Sequence, residues 1–184
     1  MKKIILFTLI LSGFRIIEAQ ETVPYKKLLF DKGQYNYNNI LFTGTAFVRK
    51  ETDIAEYYQY TDGKKTAYIA LYPNGDTAGV HRYSGNDIHL VFYTKDRKKN
   101  LEYNQRVLDQ TYTYGEWKDF HPNGTLQVKG NYALIDGNFE QRGGIIFEHA
   151  SVRDGSWEYY DTTGKLIKTE NWNNNKLIET KYPD

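Results

Sequence analysis

The sequence predicts an all-β, largely antiparallel protein behind an N-terminal export signal, and three observations carry this. Turn dipeptides recur: Asp62-Gly63, Asn74-Gly75, Asn123-Gly124, Asp136-Gly137 and Asp154-Gly155, with Ser84-Gly85-Asn86-Asp87 and Thr163-Gly164 in the same role. Glycine accepts positive φ without a steric cost and Asn or Asp tolerates it, so these pairs suit tight hairpin turns. Short runs rich in Tyr, Ile, Val and Thr separate them, as in 66–72 (TAYIALY), 88–94 (IHLVFYT) and 144–150 (GIIFEHA). The excess of aromatics, with 17 Tyr, 9 Phe and 3 Trp, also favours strands. No helical periodicity is sustained after Phe14, and short strands punctuated by turns read as all-β.

The first element in chain order is MKKIILFTLILSGFRIIEAQ. Lys2 and Lys3 give a basic start, residues 4–14 an apolar run, and Ala19 a small residue before a cut. That three-part order is a secretory signal peptide over residues 1–19, with the mature chain 20–184 starting at Gln20. The apolar run is shorter than the roughly 20 residues that cross a bilayer, and no later stretch reads as a membrane span. A lipoprotein needs a Cys at the cut, and the chain has no Cys. The expectation is export from the cytoplasm, to the periplasm or outside the cell, without disulfides. Losing Lys2, Lys3, Arg15 and Glu18 with the leader takes the formal charge from +1 to −1. A near-neutral surface offers no electrostatic basis for binding nucleic acid or an anionic membrane. Length and the lack of a low-complexity linker predict a single domain over 20–184. The charged run 95–100 reads as a solvated turn.

Residues 115–124 (GEWKDFHPNG) and 155–164 (GSWEYYDTTG) are two copies of one pattern. Gly115, Trp117, Phe120, Gly124, Leu126 and Tyr132 align with Gly155, Trp157, Tyr160, Gly164, Leu166 and Trp172, each pair 40 residues apart. In a worn upstream copy, Tyr72-Pro73-Asn74-Gly75 resembles 120–124 with one residue deleted. Tyr83 follows Gly75 by eight, as Tyr132 follows Gly124 and Trp172 follows Gly164; Ala67 and Ile69 replace the leading Gly and Trp. A fourth trace starts at Gly44-Thr45-Ala46-Phe47 and reaches Tyr60. The copies cover about 44–83, 115–132 and 155–180, with longer spacers at 84–114 and 133–154.

Each copy reads as strand, tight turn, strand. The leading aromatic and the trailing Tyr or Trp then meet across the hairpin and cover its apolar side. One hairpin is marginal in water, so neighbours must pair or stack. Trp117 and Phe120 are three apart and cannot share one face of a regular strand; either a bulge intervenes or Phe120 belongs to the turn. A propeller blade has a similar period, but two clean copies fall short of four blades and no Trp-Asp pair occurs.

The pattern G-x-W-x-x-[FY]-x-x-x-G-x-L followed by an aromatic resembles the variant MORN repeat of bacteria. The best likeness is to the exported, antitoxin-like proteins of the YwqK family. Tyr60-Thr61-Asp62-Gly63-Lys64-Lys65 is similar to that family's inter-repeat segment. The likeness covers most of 44–83 and 115–180 and is weak over the two spacers. It implies antiparallel hairpins in an elongated, twisted sheet, with the recurring Gly and aromatic positions structural and no catalytic centre. It also implies binding to another protein, in the manner of an antitoxin or immunity protein.

The residues suggest little chemistry of their own. His81, His89, His121 and His149 have no close ligand spacing, so no metal or other cofactor is expected. There is no G-x-S-x-G, P-loop or dinucleotide fingerprint, and Gly143-Gly144 is a lone turn signal. Glu116 and Glu158 each flank a Trp, and Trp stacks on sugar rings. A glycan-binding or glycan-cleaving protein with aromatic platforms is therefore the alternative. Their unequal places in the repeat make exposed strand positions the simpler reading. Tyr57-Tyr58-Gln59-Tyr60, with Tyr112 and Tyr114, is the remaining feature. Strand neighbours point to opposite faces, so some of these rings lie on an outer or contact face, a setting Tyr suits. The expectation is a non-enzymatic, exported β-repeat protein that binds an unidentified protein partner.

Overall fold

The computed structural model describes residues 21–50, 53–141 and 145–183, so the signal peptide and Gly143-Gly144 lie outside the described residues. The strands are β1 (Glu21–Pro24), β2 (Leu29–Asp31), β3 (Gln34–Tyr37), β4 (Ile40–Leu41), β5 (Gly44–Lys50), β6 (Asp53–Thr61), β7 (Lys64–Leu71) and β8 (Thr77–Ser84). They continue as β9 (Asp87–Tyr93), β10 (Lys99–Val107), β11 (Thr111–Phe120), β12 (Leu126–Gln141), β13 (Ile145–Tyr160), β14 (Leu166–Asn173) and β15 (Lys176–Lys181). One short 3-10 turn, Tyr25–Lys27, is the sole helical element among the described residues.

Twelve strands form one long, twisted, open sheet in the order β1-β5-β6-β7-β8-β9-β10-β11-β12-β13-β14-β15. From β5 onward each strand pairs antiparallel with the next, while β1 runs parallel to β5. The all-β hairpin architecture expected from the sequence is the one that forms. β2, β3 and β4 make a separate small sheet. It is stitched to the β6–β7 turn by Tyr35 N–H to Gly63 O (2.8 Å) and Gly63 N–H to Phe42 O (2.9 Å). Beneath it Val23, Phe42, Ala46 and Tyr60 are buried, with Tyr25, Leu28, Tyr35, Tyr37 and Tyr58 packed around them. A second layer thus covers the sheet at this end.

Consecutive hairpins place their turns at alternate ends of the sheet. At one end, four turns share one hydrogen-bond pattern. Tyr72 N–H reaches Asp76 O and Gly75 N–H reaches Tyr72 O, both at 2.8 Å. The same two bonds recur in 94–98, 121–125 and 161–165. Gly75, Gly124 and Gly164 hold the left-handed position at φ 85°, 87° and 85°, and Arg97 holds it at 61°. The run 95–100 is therefore a fourth copy of the repeat turn, inside a spacer where the sequence pattern is weak. Arg97 in the glycine place hides it. Neighbouring turns are also joined side by side. Arg97 meets Asp76 at 2.6 Å, and Asn123 donates to Thr162 O at 2.7 Å.

Two of the predicted hairpin turns are corrected. Asp154-Gly155 lies inside β13 and Asp136-Gly137 inside β12, each at a shift in register between those strands. Gly155 (φ 71°) and its repeat partner Gly115 (φ 69°) are bulge residues. The positive φ that suits a turn equally suits the extra residue of a bulge, and local sequence does not separate the two. At Gly137 the missing side chain leaves room for the Phe139 ring, which would lie 3.1 Å from an added Cβ.

The Trp117–Phe120 spacing is resolved by a bulge on the returning strand. Asp119 faces Val128 and Phe120 faces Leu126, leaving Gln127 unopposed. From Trp117 to Phe120 β11 itself stays regular, so these two side chains point to opposite faces. The same shift follows the turns at Ala70/Leu71 and Tyr159/Tyr160.

Candidate docking face

Directly opposite residues on paired strands share a face. The registers link Ala46, Tyr58, Tyr68, His81, Leu90, Tyr103, Trp117 and Gly130 in one line across the sheet. The rings on this face form a continuous row. Centroids are 5.1 Å apart for Tyr58–Tyr68, 5.0 Å for Tyr68–His81, 5.6 Å for His81–Phe92 and 6.2 Å for Phe92–Tyr103. The row continues with Tyr103–Trp117 at 4.7 Å, Trp117–Tyr132 at 5.6 Å and Tyr132–Trp157 at 5.2 Å. The Arg153 guanidinium then lies 4.4 Å from the Trp157 ring and 5.2 Å from that of Trp172. The small sheet covers the row near Tyr58. From Tyr68 to Trp172 its rings are part-exposed, except Trp157, which is 1% exposed.

The repeat residues divide between two faces. Trp117, Tyr132, Trp157 and Trp172 belong to the aromatic row. Phe120 pairs with Leu126 and Tyr160 with Leu166 on the other face. Tyr83 sits beside the row, with the Lys65 ammonium 5.5 Å from its ring and 5.0 Å from that of Tyr58. Trp117 meets Tyr132 across its hairpin as expected. Trp157 instead packs on Tyr132 of the preceding copy and reaches Trp172 through Arg153. Sequence reasoning missed Tyr68, Phe92 and Tyr103, which supply the row where the repeat pattern fades. It also missed Gly130, Arg153 and Glu170.

Glu170, 8% exposed, receives Lys168 (2.6 Å), the Tyr159 hydroxyl (2.6 Å) and Trp172 Nε1 (3.2 Å). Burial alone raises a carboxyl pKa, but the bonds from Lys168, Tyr159 and Trp172 outweigh it and hold Glu170 below the usual carboxylate range. Glu170→Ala strips three donors of their acceptor. We expect a loss of roughly 2–3 kcal/mol in urea denaturation at neutral pH.

His81 sits within the row between Tyr68 and Phe92. Burial first, and the nearby Lys65 charge second, push its pKa below the ordinary histidine value. A folded-state pKa below the unfolded one makes protonation favour the unfolded chain. Stability contributed here is therefore complete above the unfolded value near 6.5 and falls as pH drops toward the lower folded value. His81→Phe should flatten this part of the stability–pH curve, measured by melting between about pH 7.5 and 5.

The opposite face is apolar from Phe47 through Tyr57, Ile69 and Val80 to Val91, and carries charge over β10 to β13. Lys118 stands between Glu102 and Lys129, and Lys129 faces Glu158. Glu116 meets Lys118 at 2.5 Å and Glu158 meets Lys129 at 3.4 Å. Glu158 also accepts the Tyr160 hydroxyl, and that bond, with Lys129, holds its carboxyl low and ionised. The two glutamates flanking Trp117 and Trp157 thus lie away from the aromatic row, each engaged by a lysine. The histidines have separate partners: Asn104 for His89 (3.0 Å), Tyr160 O for His121 (2.9 Å) and Asp136 for His149 (2.9 Å). Among the described residues no group of His, Asp or Glu is placed to hold a metal. Nor is any helix among them long and apolar enough to cross a membrane.

Fold and face together define a class: an open antiparallel meander with a continuous aromatic row on one side and, on the other, an apolar line from Phe47 to Val91 that gives way to charges over β10 to β13. No family model matches the chain, and no curated protein matches it.

Proposed function

We propose that this chain is an exported, non-enzymatic β-repeat protein that binds another protein through its aromatic face. The row from Tyr68 to Trp172 carries the reading. Among the described residues it is contiguous, part-exposed apart from Trp157, and without the second layer that covers Tyr58 and Tyr60. Elements with an apolar face bury it against something, and an uncovered patch of this kind marks an interaction surface. Neighbouring rings lie 4.7–6.2 Å apart and most are tilted or edge-on to one another, so the row is not one flat platform. Such a surface suits protein side chains better than the flat stacking of a sugar ring. Export rests on residues 1–19, and a binding role agrees with what the likeness to the YwqK family implies.

The mature chain 20–184 serves as bait in an extract of the exported fraction, beside Tyr103→Glu and Lys129→Ala variants. A retained protein should be lost with Tyr103→Glu and kept with Lys129→Ala. Retention of nothing at micromolar bait, with folding verified by circular dichroism, sinks the reading. So does a partner that ignores Tyr103→Glu.

A further inference from the structure

Two cations on the aromatic face make no direct contact with a carboxylate, and one of them is held against two of its rings. Arg153 lies over the Trp157 and Trp172 rings. Its backbone is pinned by the β14–β15 turn: its N–H donates to Asn175 Oδ1 (2.7 Å) and its carbonyl accepts from the Asn175 N–H (3.0 Å). Among the described residues no carboxylate lies within 4.0 Å of Arg153 or of Lys65; Glu170 attracts Arg153 from farther off but is already bonded to Lys168, Tyr159 and Trp172. The other charges on this face have partners. Lys168 holds Glu170, Glu56 accepts the Tyr58 hydroxyl, and Asp119 accepts the Phe120 N–H.

A cation on an exposed turn keeps its water. A cation covered by a docked partner loses it, and a buried charge without a counter-charge is strongly unfavourable. A partner on this face must therefore bring a carboxylate to Arg153. Trp, Tyr and Arg together are also the residue types that dominate binding energy at interfaces. From Trp117 on β11 to Trp172 on β14 the patch spans three strand spacings, about 14 Å, close to three turns of helix. A helix laid on these rings satisfies its own backbone, whereas an extended segment would leave N–H and C=O groups against apolar surface.

Resting on the reading that this face binds a protein, the geometry points to an acidic amphipathic helix of that partner as the docked element. Arg153 takes its carboxylate, and Trp117, Tyr132 and Trp172 take its apolar side.

The chain's 3 Trp all lie in the row, so their emission reports on occupancy. Two synthetic helical peptides with the same leucine face, one flanked by Glu and one by Lys, are titrated onto the mature chain. Calorimetry and Trp emission are followed at low and high salt. The acidic peptide should bind, and more weakly in high salt. Arg153→Met, which keeps an apolar stem over the rings, should weaken it at least ~10-fold with little change in melting. Arg153→Lys should recover part of that loss, and Lys118→Glu on the opposite face should change nothing. Should Arg153→Met unfold, the acidic-over-basic preference and its loss in salt still decide.

Equal or tighter binding of the basic peptide overturns the inference, as does undiminished affinity in a folded Arg153→Met. Polygalacturonate shifting the Trp emission where the acidic peptide does not also overturns it, in favour of an acidic glycan. If neither peptide binds while the bait still retains a protein in a Tyr103-dependent way, the helix is wrong and the docking face stands. If the bait retains nothing, both fall.

Discussion

Trp157→Ala is expected to cost about 3–5 kcal/mol, the range for removing a large buried aromatic. Trp157 is 1% exposed and is one of the two largest side chains that are fully buried. Its ring packs on Tyr132 at 5.2 Å and under Arg153 at 4.4 Å. Its Nε1 has no hydrogen-bond partner, so the loss is one of packing alone. The repeat pattern treats Trp117 as its equivalent, but the structure does not. Trp117 is part-exposed, and its truncation removes less buried area, about 1–2 kcal/mol. Urea denaturation of the two variants side by side checks this. Equal losses would mean that the two tryptophans have the same surroundings, contrary to the structure.

The inequality shows what local sequence conveys and what it does not. Strand runs and glycine-containing turns were legible because their signals are local: positive φ at Gly75, Gly124 and Gly164, and aromatic or β-branched residues between them. The meander follows, since short turns make sequence neighbours into sheet neighbours. The turn at 94–98 was not legible, because Arg97 adopts the glycine conformation and main-chain bonds close the turn without it. Asp154-Gly155 misled for the converse reason, a turn-like dipeptide spent on a bulge.

Half of the aromatic face was visible as repeat residues: Trp117, Tyr132, Trp157 and Trp172. The other half was not, because Tyr68, His81, Phe92 and Tyr103 align only once bulges have set the registers. A one-residue shift sends every ring beyond it to the other face. Arg153 shows the same limit. Its contact with Trp157 and its place opposite Tyr132 follow from the β12–β13 pairing across the Gly155 bulge. Register is a property of pairs of strands, and a single strand's sequence carries only part of it.

Gly130→Ala is the sharpest test of this register. Strand propensity alone predicts a gain, since alanine in a strand interior is favoured over glycine by roughly 0.5–1 kcal/mol. The surroundings predict the opposite sign. A Cβ at Gly130 would stand 2.1 Å from Trp157 Cδ2, 2.4 Å from Cε2 and 2.5 Å from Cε3, far inside contact distance. The ring has no free direction to yield, with Tyr132 on one side and Arg153 on another. Forcing the methyl in should therefore cost about 2–3 kcal/mol, as overpacking does. The double variant separates the two causes. With Trp157→Ala already in place the clash is gone, and Gly130→Ala should become neutral or stabilising. The coupling between the two substitutions should then be about as large as the single-variant loss, since residues in contact are not additive. A Gly130→Ala cost that persists in the Trp157→Ala background would place Trp157 elsewhere and break the register of β12 against β13.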